Sequence, residues 1–212
     1  MTSDLDYIFN PRTVAVVGAS RDPASFGHRV LRCLVDGGFQ GVVYPVNHHA
    51  DVVHSLPCYP RIDAVPGPVD LAVIAVPATQ VGEAVDQCAR KGVGGLILIT
   101  SGFREIGGEG VELEARLVSQ VRRYGMRMIG PNCMGVINTA PSVRLNATFA
   151  PSDMLPGKIA FMSQSGAMGV AILNYIRGLS LGLSMYVSVG NRADVSANDL
   201  LEYWRDDPQT EV

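Results

Sequence analysis

Val14-Ala-Val-Val17 is an unbroken apolar run, and Gly18, Ala19 and Ser20 follow it at once. A run so short, apolar at every position, reads as a strand buried on both faces. Small residues let a backbone come close to a ligand. Ser25 then opens a helix, whose first N–H groups lack intrahelical acceptors and favour an anion. The segment Val14-Ala-Val-Val-Gly-Ala-Ser-Arg-Asp-Pro-Ala-Ser-Phe-Gly27 therefore reads as strand, phosphate-handling turn and helix. It departs from the dinucleotide pattern G-x-G-x-x-G, since positions 20 and 23 are Ser and Pro. An ordinary strand-to-helix turn is the plainer reading of the segment alone.

The same alternation recurs downstream. A polar lead-in over residues 1–12 precedes the first strand. The first helix places Val30, Leu31, Leu34 and Val35 on one face and stops at Gly37-Gly38. Strands are expected at Gly41–Val46, Val69–Val76, Gly95–Ile99 and Met126–Ile129. Helices are expected around Val81, Ala84, Val85 and Cys88, and from Glu109 through Leu113, Leu117, Val121 and Tyr124. Five strands alternating with helices or loops predict a Rossmann-like, doubly wound parallel α/β sheet, which binds ligands beyond the carboxyl ends of its strands. Those ends here are Gly18-Ala-Ser, Pro45-Val-Asn-His-His49, Val76-Pro-Ala, Thr100-Ser-Gly102 and Gly130-Pro-Asn132, all small or polar.

Residues 136–156, with Pro141, Pro151 and Pro156, read as a connector. The alternation then restarts: strand Lys158–Met162, turn Ser163-Gln-Ser-Gly-Ala167, and a helix with Met168, Ala171, Ile172 and Tyr175 on one face. Strand Leu183–Val189 follows, then helix Leu200–Arg205 behind the capping-box pattern Ser196-Ala-Asn-Asp199. A third strand is expected to begin at Thr210-Glu-Val212. Two strands and two helices leave apolar faces and a strand edge without partners, so this second α/β unit reads as incomplete and an association, homo-oligomeric included, is expected.

Composition narrows the function classes. The 212 residues are 47% hydrophobic and 17% charged, with net charge −3, and only Lys91 and Lys158 of the 17 basic residues are lysine. With no basic stripe, nucleic acid is not an expected partner. Cys33, Cys58, Cys88 and Cys133 are scattered, form no C-x-x-C pair, and read as free thiols of a reducing compartment. The N-terminus lacks the pattern of a signal peptide, and the longest apolar run, Leu71–Ala78, is far too short to cross a membrane. A cytoplasmic protein is expected.

Ser163-Gln-Ser-Gly-Ala167 places hydroxyls at a helix start, where they either cap the helix or help its amides hold a phosphate. It is not a G-x-S-x-G nucleophile elbow, because residue 161 is Phe, and there is no P-loop G-K-[ST]. Asn132 is able to bond a ligand or its own backbone. Cys133 reads as a small buried filler, since every histidine lies at or before His54 and no base stands near it in sequence. His28 reads as a surface or boundary residue. His48-His49 falls at the ligand edge, and spacing supplies no further metal ligands.

Taken together, eight segments resemble the NDP-forming acyl-CoA synthetases, the family of ADP-forming acetate–CoA ligases, with the succinyl-CoA synthetase alpha subunit a more distant relative. They are Val14-Ala-Val-Val-Gly-Ala-Ser20, Val43-Tyr-Pro-Val-Asn47, Val69-Asp-Leu-Ala-Val-Ile-Ala-Val-Pro-Ala78, Ser101-Gly-Phe103, Ile129-Gly-Pro-Asn-Cys133, Leu145-Asn-Ala-Thr-Phe-Ala150, Ile159-Ala-Phe-Met-Ser-Gln-Ser-Gly-Ala167 and Ser188-Val-Gly-Asn-Arg-Ala-Asp-Val195. The resemblance implies a CoA-binding domain over residues 1–135, and the first part of a flavodoxin-like succinyl-CoA-synthetase domain over 157–212. It implies that Gly18, Ala19, Ser20 and Gly27 meet the CoA pyrophosphate arm. By the same likeness Val46, Asn47 and His49 lie near the adenosine 3′-phosphate, and Val76, Pro77, Ala78, Thr100, Ser101 and Gly102 line the rest of CoA. Asn132, Ser165, Gly166 and Ala167 would cradle the transferred phosphate. Many relatives carry Asn-Pro-Lys where this chain has Asn47-His48-His49, and a neutral histidine is the weaker phosphate partner. The family also routes its phosphoryl group through a later histidine, and this chain has none after His54. No catalytic residue is therefore assigned. ATP, ADP and Mg would enter through an ATP-grasp subunit or domain. An acyl-CoA-sensing module fused to a GNAT-type acetyltransferase, and a non-catalytic CoA-binding protein, are the alternatives.

Overall fold

The computed structural model describes residues 4–150 and 154–212; Pro151 and the first three residues of the lead-in lie outside the described residues. The chain opens with a short helix, α1 (Asp6–Phe9), and enters β1 (Thr13–Val17), α2 (Phe26–Asp36) and β2 (Val42–Val46). A small hairpin of β3 (Val52–Val53) and β4 (Leu56–Pro57) follows. The chain then runs through β5 (Leu71–Ile74), α3 (Ala78–Lys91), β6 (Gly95–Leu98), α4 (Glu109–Arg123) and β7 (Arg127–Ile129). The second part comprises β8 (Gly135–Asn138), β9 (Leu145–Thr148), β10 (Pro156–Ser163), α5 (Gly166–Gly178), β11 (Leu183–Ser188) and α6 (Ala197–Arg205).

The first sheet has the order β2-β1-β5-β6-β7, with every pair parallel. This is the expected doubly wound sheet, and its switch point falls between β1 and β5. The caps follow the sequence: the Ser25 side chain accepts the His28 amide at the start of α2, and Gly92 closes α3 in the left-handed conformation at φ 78°. The lead-in is more than a tail. Ile8 and Phe9 of α1 are fully buried, and the Asn138 side chain donates to the Phe9 carbonyl at 2.8 Å.

The expected connector requires correction. Two of its segments form strands in a second, mixed sheet of order β10-β11-β8-β9. β10 and β11 are parallel, while β11–β8 and β8–β9 are antiparallel. The inner edge of β11, bare on sequence grounds, is thus filled by β8. These strands escaped notice because each is four residues long and closes on a polar residue, Asn138 or Thr148, amid prolines. On the outer edge of β10, the Glu211 amide donates to the Lys158 carbonyl at 2.9 Å and the Ala160 amide to the Val212 carbonyl at 2.7 Å. Strand-type pairing is thus present where a third strand is expected to begin.

The expected face of α5 is also corrected. Gly169 and Leu173 are buried, whereas Met168 and Tyr175 are 60% and 69% exposed. A Cβ at Gly169 would lie 2.0 Å from the Tyr186 hydroxyl, so a glycine seam sets which side docks. A helix apolar nearly all round gives no stripe from which to read that side.

One core runs through both sheets. Val14, Val16, Leu71, Val73 and Ile97 from the first sheet join Leu31 and Leu34 of α2. The same cluster continues into Val136, Leu145, Met185 and Val187 of the second sheet, and Leu200 and Trp204 of α6. A second cluster packs α3 and α4 on the opposite face of the first sheet.

Candidate functional site

Two clefts collect most of the residues expected to act. The first opens at the carboxyl ends of β1, β2 and β5 and encloses about 520 Å³. Gly18, Val46, Asn47, His49, Val76 and Pro77 line it, together with His48 and the α3 residues Thr79, Gln80, Glu83 and Gln87. Its rim is held by side chains. Asn47 donates to the Ala19 carbonyl at 2.6 Å and accepts the His49 amide at 2.8 Å, tying the end of β2 to the turn after β1. That engagement turns the Asn47 side chain toward the protein. The imidazoles of His48 and His49 stand 3.7 Å apart between centroids on the exposed lip.

Ala19, Ser20 and Gly27 are not on the wall of this cleft. Ala19 and Gly27 are buried. Gly18 has φ 94°, and a Cβ there would meet the Ala75 carbonyl oxygen at 2.6 Å; one at Gly27 would lie 1.9 Å from the Gly18 carbonyl oxygen. Both glycines let α2 and the β1 turn approach closely. Much of the 20–28 turn is already self-capped. Ser20 accepts the Asp22 amide, Asp22 accepts the Ala24 amide, and Ser25 accepts the His28 amide. Phe26 and Gly27 hold the first two amides of α2, which have no acceptor within the helix.

The second cleft, of about 510 Å³, lies where the turn after β6 meets the second sheet. Ser101, Asn132, Ser165, Gly166 and Ala167 line it, with Phe26, Phe149, Gln164, Glu105 and Asn191. Ser165 caps α5 by accepting the Met168 amide, leaving the first amides of α5 beside the cleft. The Ser163 hydroxyl donates to the Ser165 carbonyl, so both serines around the turn are engaged. Asn132 has φ 56°, and its amide donates to the Thr100 carbonyl at 2.9 Å. Of the residues expected to line the rest of CoA, Val76 and Pro77 line the first cleft and Ser101 the second, whereas Ala78, Thr100 and Gly102 line neither; the turn 100–102 lies between the clefts. The Thr100 hydroxyl donates to the Val76 carbonyl at 2.6 Å, Gly102 has φ 102° and faces Ala78, and Ser101 reaches the second cleft.

Among the described residues, no lysine or arginine lines either cleft. Charge there comes from Glu83 in the first and Glu105 in the second. Burial pushes the Glu105 carboxyl up, but hydrogen bonds from Asn191 and from the Gly102 and Phe103 amides outweigh it and hold the carboxyl below its ordinary range. Any phosphate in these clefts would meet backbone amides, hydroxyls and side-chain amides, with the histidines as the one cationic reserve. Such a donor set suits an extended cofactor with a phosphate arm better than a bare polyanion. Cys133 is buried, its thiol donates to the Leu98 carbonyl, and burial pushes that thiol up to about 12, the state of a filler and not of a nucleophile.

Sequence reasoning missed Gln80, Glu83 and Gln87, and it missed Glu105 and Asn191. The first three recur at helical spacing on α3, a signal available in the pattern. Glu105 and Asn191 come together only through the tertiary fold.

The chain matches the model of the CoA binding domain family over residues 12–139, and that of the succinyl-CoA ligase like flavodoxin domain over residues 156–212. It is 43% identical over 97% of its length to the alpha subunit of acetate–CoA ligase [ADP-forming] I from Pyrococcus furiosus, covering 45% of that protein. It is 42% identical to acetate–CoA ligase [ADP-forming] I from Archaeoglobus fulgidus, covering 98% of this chain and 30% of that one. Among solved structures, dinucleotide forming acetyl-coenzyme A synthetase 1 of Ca. Korarchaeum cryptofilum, in complex with phosphate and ADP, superposes with TM-score 0.93 at 48% identity. That match covers 97% of this chain and 44% of the other. The chain thus spans less than half the length of these relatives. It belongs to the CoA binding domain family and corresponds to the CoA-binding region of the ADP-forming acetate–CoA ligases.

Proposed function

We propose that this chain binds CoA or acyl-CoA along the first cleft and supplies part of a phosphate cradle in the second. In the whole enzyme the cycle would be acyl-CoA plus ADP and phosphate giving acid, CoA and ATP. The observation that carries the reading is the turn after β6, which bonds Val76 of the first cleft through the Thr100 hydroxyl and lines the second cleft with Ser101. A long cofactor with its phosphates at the ends of β1 and β2 is thereby led toward the thiol end at Ser101 and the cradle of Asn132, Ser165, Gly166 and Ala167. Phosphoryl transfer needs positioning and charge stabilisation, which oriented amides and a helix start provide. The nucleotide and its magnesium belong to an ATP-grasp partner, in keeping with relatives named as alpha subunits. No relative described above is named as an acetyltransferase.

Calorimetric titration with CoA, dephospho-CoA, acetyl-CoA and NAD tests the reading. CoA and acetyl-CoA are expected to bind, and dephospho-CoA to bind more weakly, because the Asn47–His49 lip loses its phosphate. Equal binding of CoA and NAD, or none of CoA, would overturn it. The chain alone is expected to form no ATP from acetyl-CoA, ADP and phosphate, since it holds no histidine beyond His54.

A further inference from the structure

The turn 102–103 and the Asn191 side chain meet at the carboxylate of Glu105. One oxygen accepts the Gly102 amide at 2.5 Å and the Phe103 amide at 3.2 Å. The other accepts the side-chain amide of Asn191 at 2.6 Å. The second proton of that amide goes to Glu114 at 2.7 Å, and Glu114 is 5% exposed and paired with Arg104 at 3.4 Å. Arg104 in turn donates to the Asn191 carbonyl at 3.1 Å. With both amide protons committed to carboxylates, the Asn191 side-chain oxygen is left to face Asn132, whose side-chain nitrogen stands 3.4 Å away. The Asn191 backbone amide donates to the Pro131 carbonyl at 2.9 Å. Glu105, Asn191, Asn132 and Ser101 all line the second cleft.

A carboxylate on the wall of an anion site is unfavourable on Coulomb grounds alone. This one is compensated by its amide donors, and it bonds both Asn191 and the turn after β6, which is tied to Val76 of the first cleft through Thr100. We propose that Glu105 is a positioning residue: it fastens the turn 101–103 to Asn191, so that Asn191 orients Asn132 toward phosphate, and occupancy of the CoA cleft alters phosphate affinity in the second cleft. The inference rests on the reading of the two clefts given above. It adds a residue that acts through others and touches no reacting atom.

The two roles open to Glu105 differ in sign. As a nearby negative charge only, its removal strengthens phosphate binding. As a positioning group, its removal weakens it. The test titrates the chain with inorganic phosphate, with and without saturating CoA, for wild type, Glu105→Gln, Glu105→Asp and the exposed control Glu112→Gln. A glutamine has one acceptor oxygen and cannot serve both the turn and Asn191; an aspartate keeps the charge but is one methylene short. Phosphate affinity is expected to fall about tenfold in both Glu105 variants, and to stay unchanged in the control. The CoA-induced change in phosphate affinity, expected at fivefold or more in wild type, should be lost. A second readout needs no variant: in the wild-type protein the side-chain amide resonances of Asn191 and Asn132 should both move on phosphate addition.

Unchanged or tighter phosphate binding by Glu105→Gln overturns the inference. So do CoA-independent phosphate binding in wild type, and amide resonances that ignore phosphate at millimolar concentration. If CoA binds in each of these cases, the cofactor reading survives and only the role of Glu105 fails. If CoA does not bind, that reading fails first.

Discussion

At position 49 an imidazole stands on the lip of the first cleft, where a lysine would hold a fixed charge on a flexible stem. Among the described residues, no other basic side chain except His48 lines that cleft. His49→Lys is therefore expected to tighten CoA binding about threefold, and to leave dephospho-CoA unaffected. Parallel calorimetric titrations check this, and an equal gain for both ligands would place the 3′-phosphate elsewhere. Gly27 presents a packing constraint of a different kind. A methyl group there would lie 1.9 Å from the Gly18 carbonyl oxygen, an atom of the backbone that cannot swing aside. Gly27→Ala is expected to cost about 2 kcal/mol, read as a lowered urea midpoint. The small residues of this corner were legible in the sequence. Their division of labour was not: Gly18 faces the cleft, whereas Gly27 serves the approach of α2, and only the fold separates the two.

The capping box of α6 shows how far a local pattern carries. Ser196 accepts the Asp199 amide, and the Asp199 carboxylate accepts the Ser196 amide, as the spacing requires. The structure adds Arg127 of β7, which bonds Asp199 at 3.0 Å and Asp194 at 3.1 Å. Burial alone would raise the Asp199 carboxyl, but hydrogen bonds from Ser196 and the Arg127 guanidinium outweigh it and hold it below its ordinary range. A carboxyl lowered by folding stabilises the fold above its unfolded value, and that contribution fades as pH falls through the folded value. Ser196→Ala is thus expected to cost about 1 kcal/mol at neutral pH and to flatten the loss of stability in acid. Chemical denaturation at pH 7 and pH 3 checks both. Elements whose pattern is written locally, such as α2, α3 and the parallel strands, were legible for the same reason as this cap. β8 and β9 were not, because a four-residue antiparallel strand is specified by the strand beside it, β11 for β8 and β8 for β9, more than by its own residues. The docking side of α5 depends likewise on Tyr186, a residue outside the helix.

For the molecule as a whole, the question is whether two sheets make two folding units. Two stretches match separate family models, and the sequence alone divides them at a proline-rich stretch. The packing points the other way. α2 belongs to the first sheet by chain order, yet it lies against β9 of the second, and α1 and α6 close the same core from either end of the chain. Tyr203 of α6 stacks on Phe9 at 4.7 Å and donates to Asp6 at 2.8 Å, joining residues almost two hundred positions apart. Separating the sheets would expose fully buried residues such as Val16, Leu31 and Val187, each worth roughly 1.5–3 kcal/mol of burial. The three together, roughly 5–9 kcal/mol, are comparable with the whole stability of an ordinary domain, so neither sheet should outlast the other. The single tryptophan offers a direct reading, because Trp204 is 7% exposed within the common core. On urea unfolding, the red shift of its fluorescence and the loss of far-ultraviolet ellipticity are expected to share one midpoint. If half the ellipticity persisted after the tryptophan had reached water, the sheets would be independent units, and the core joining them would be a contact between finished domains.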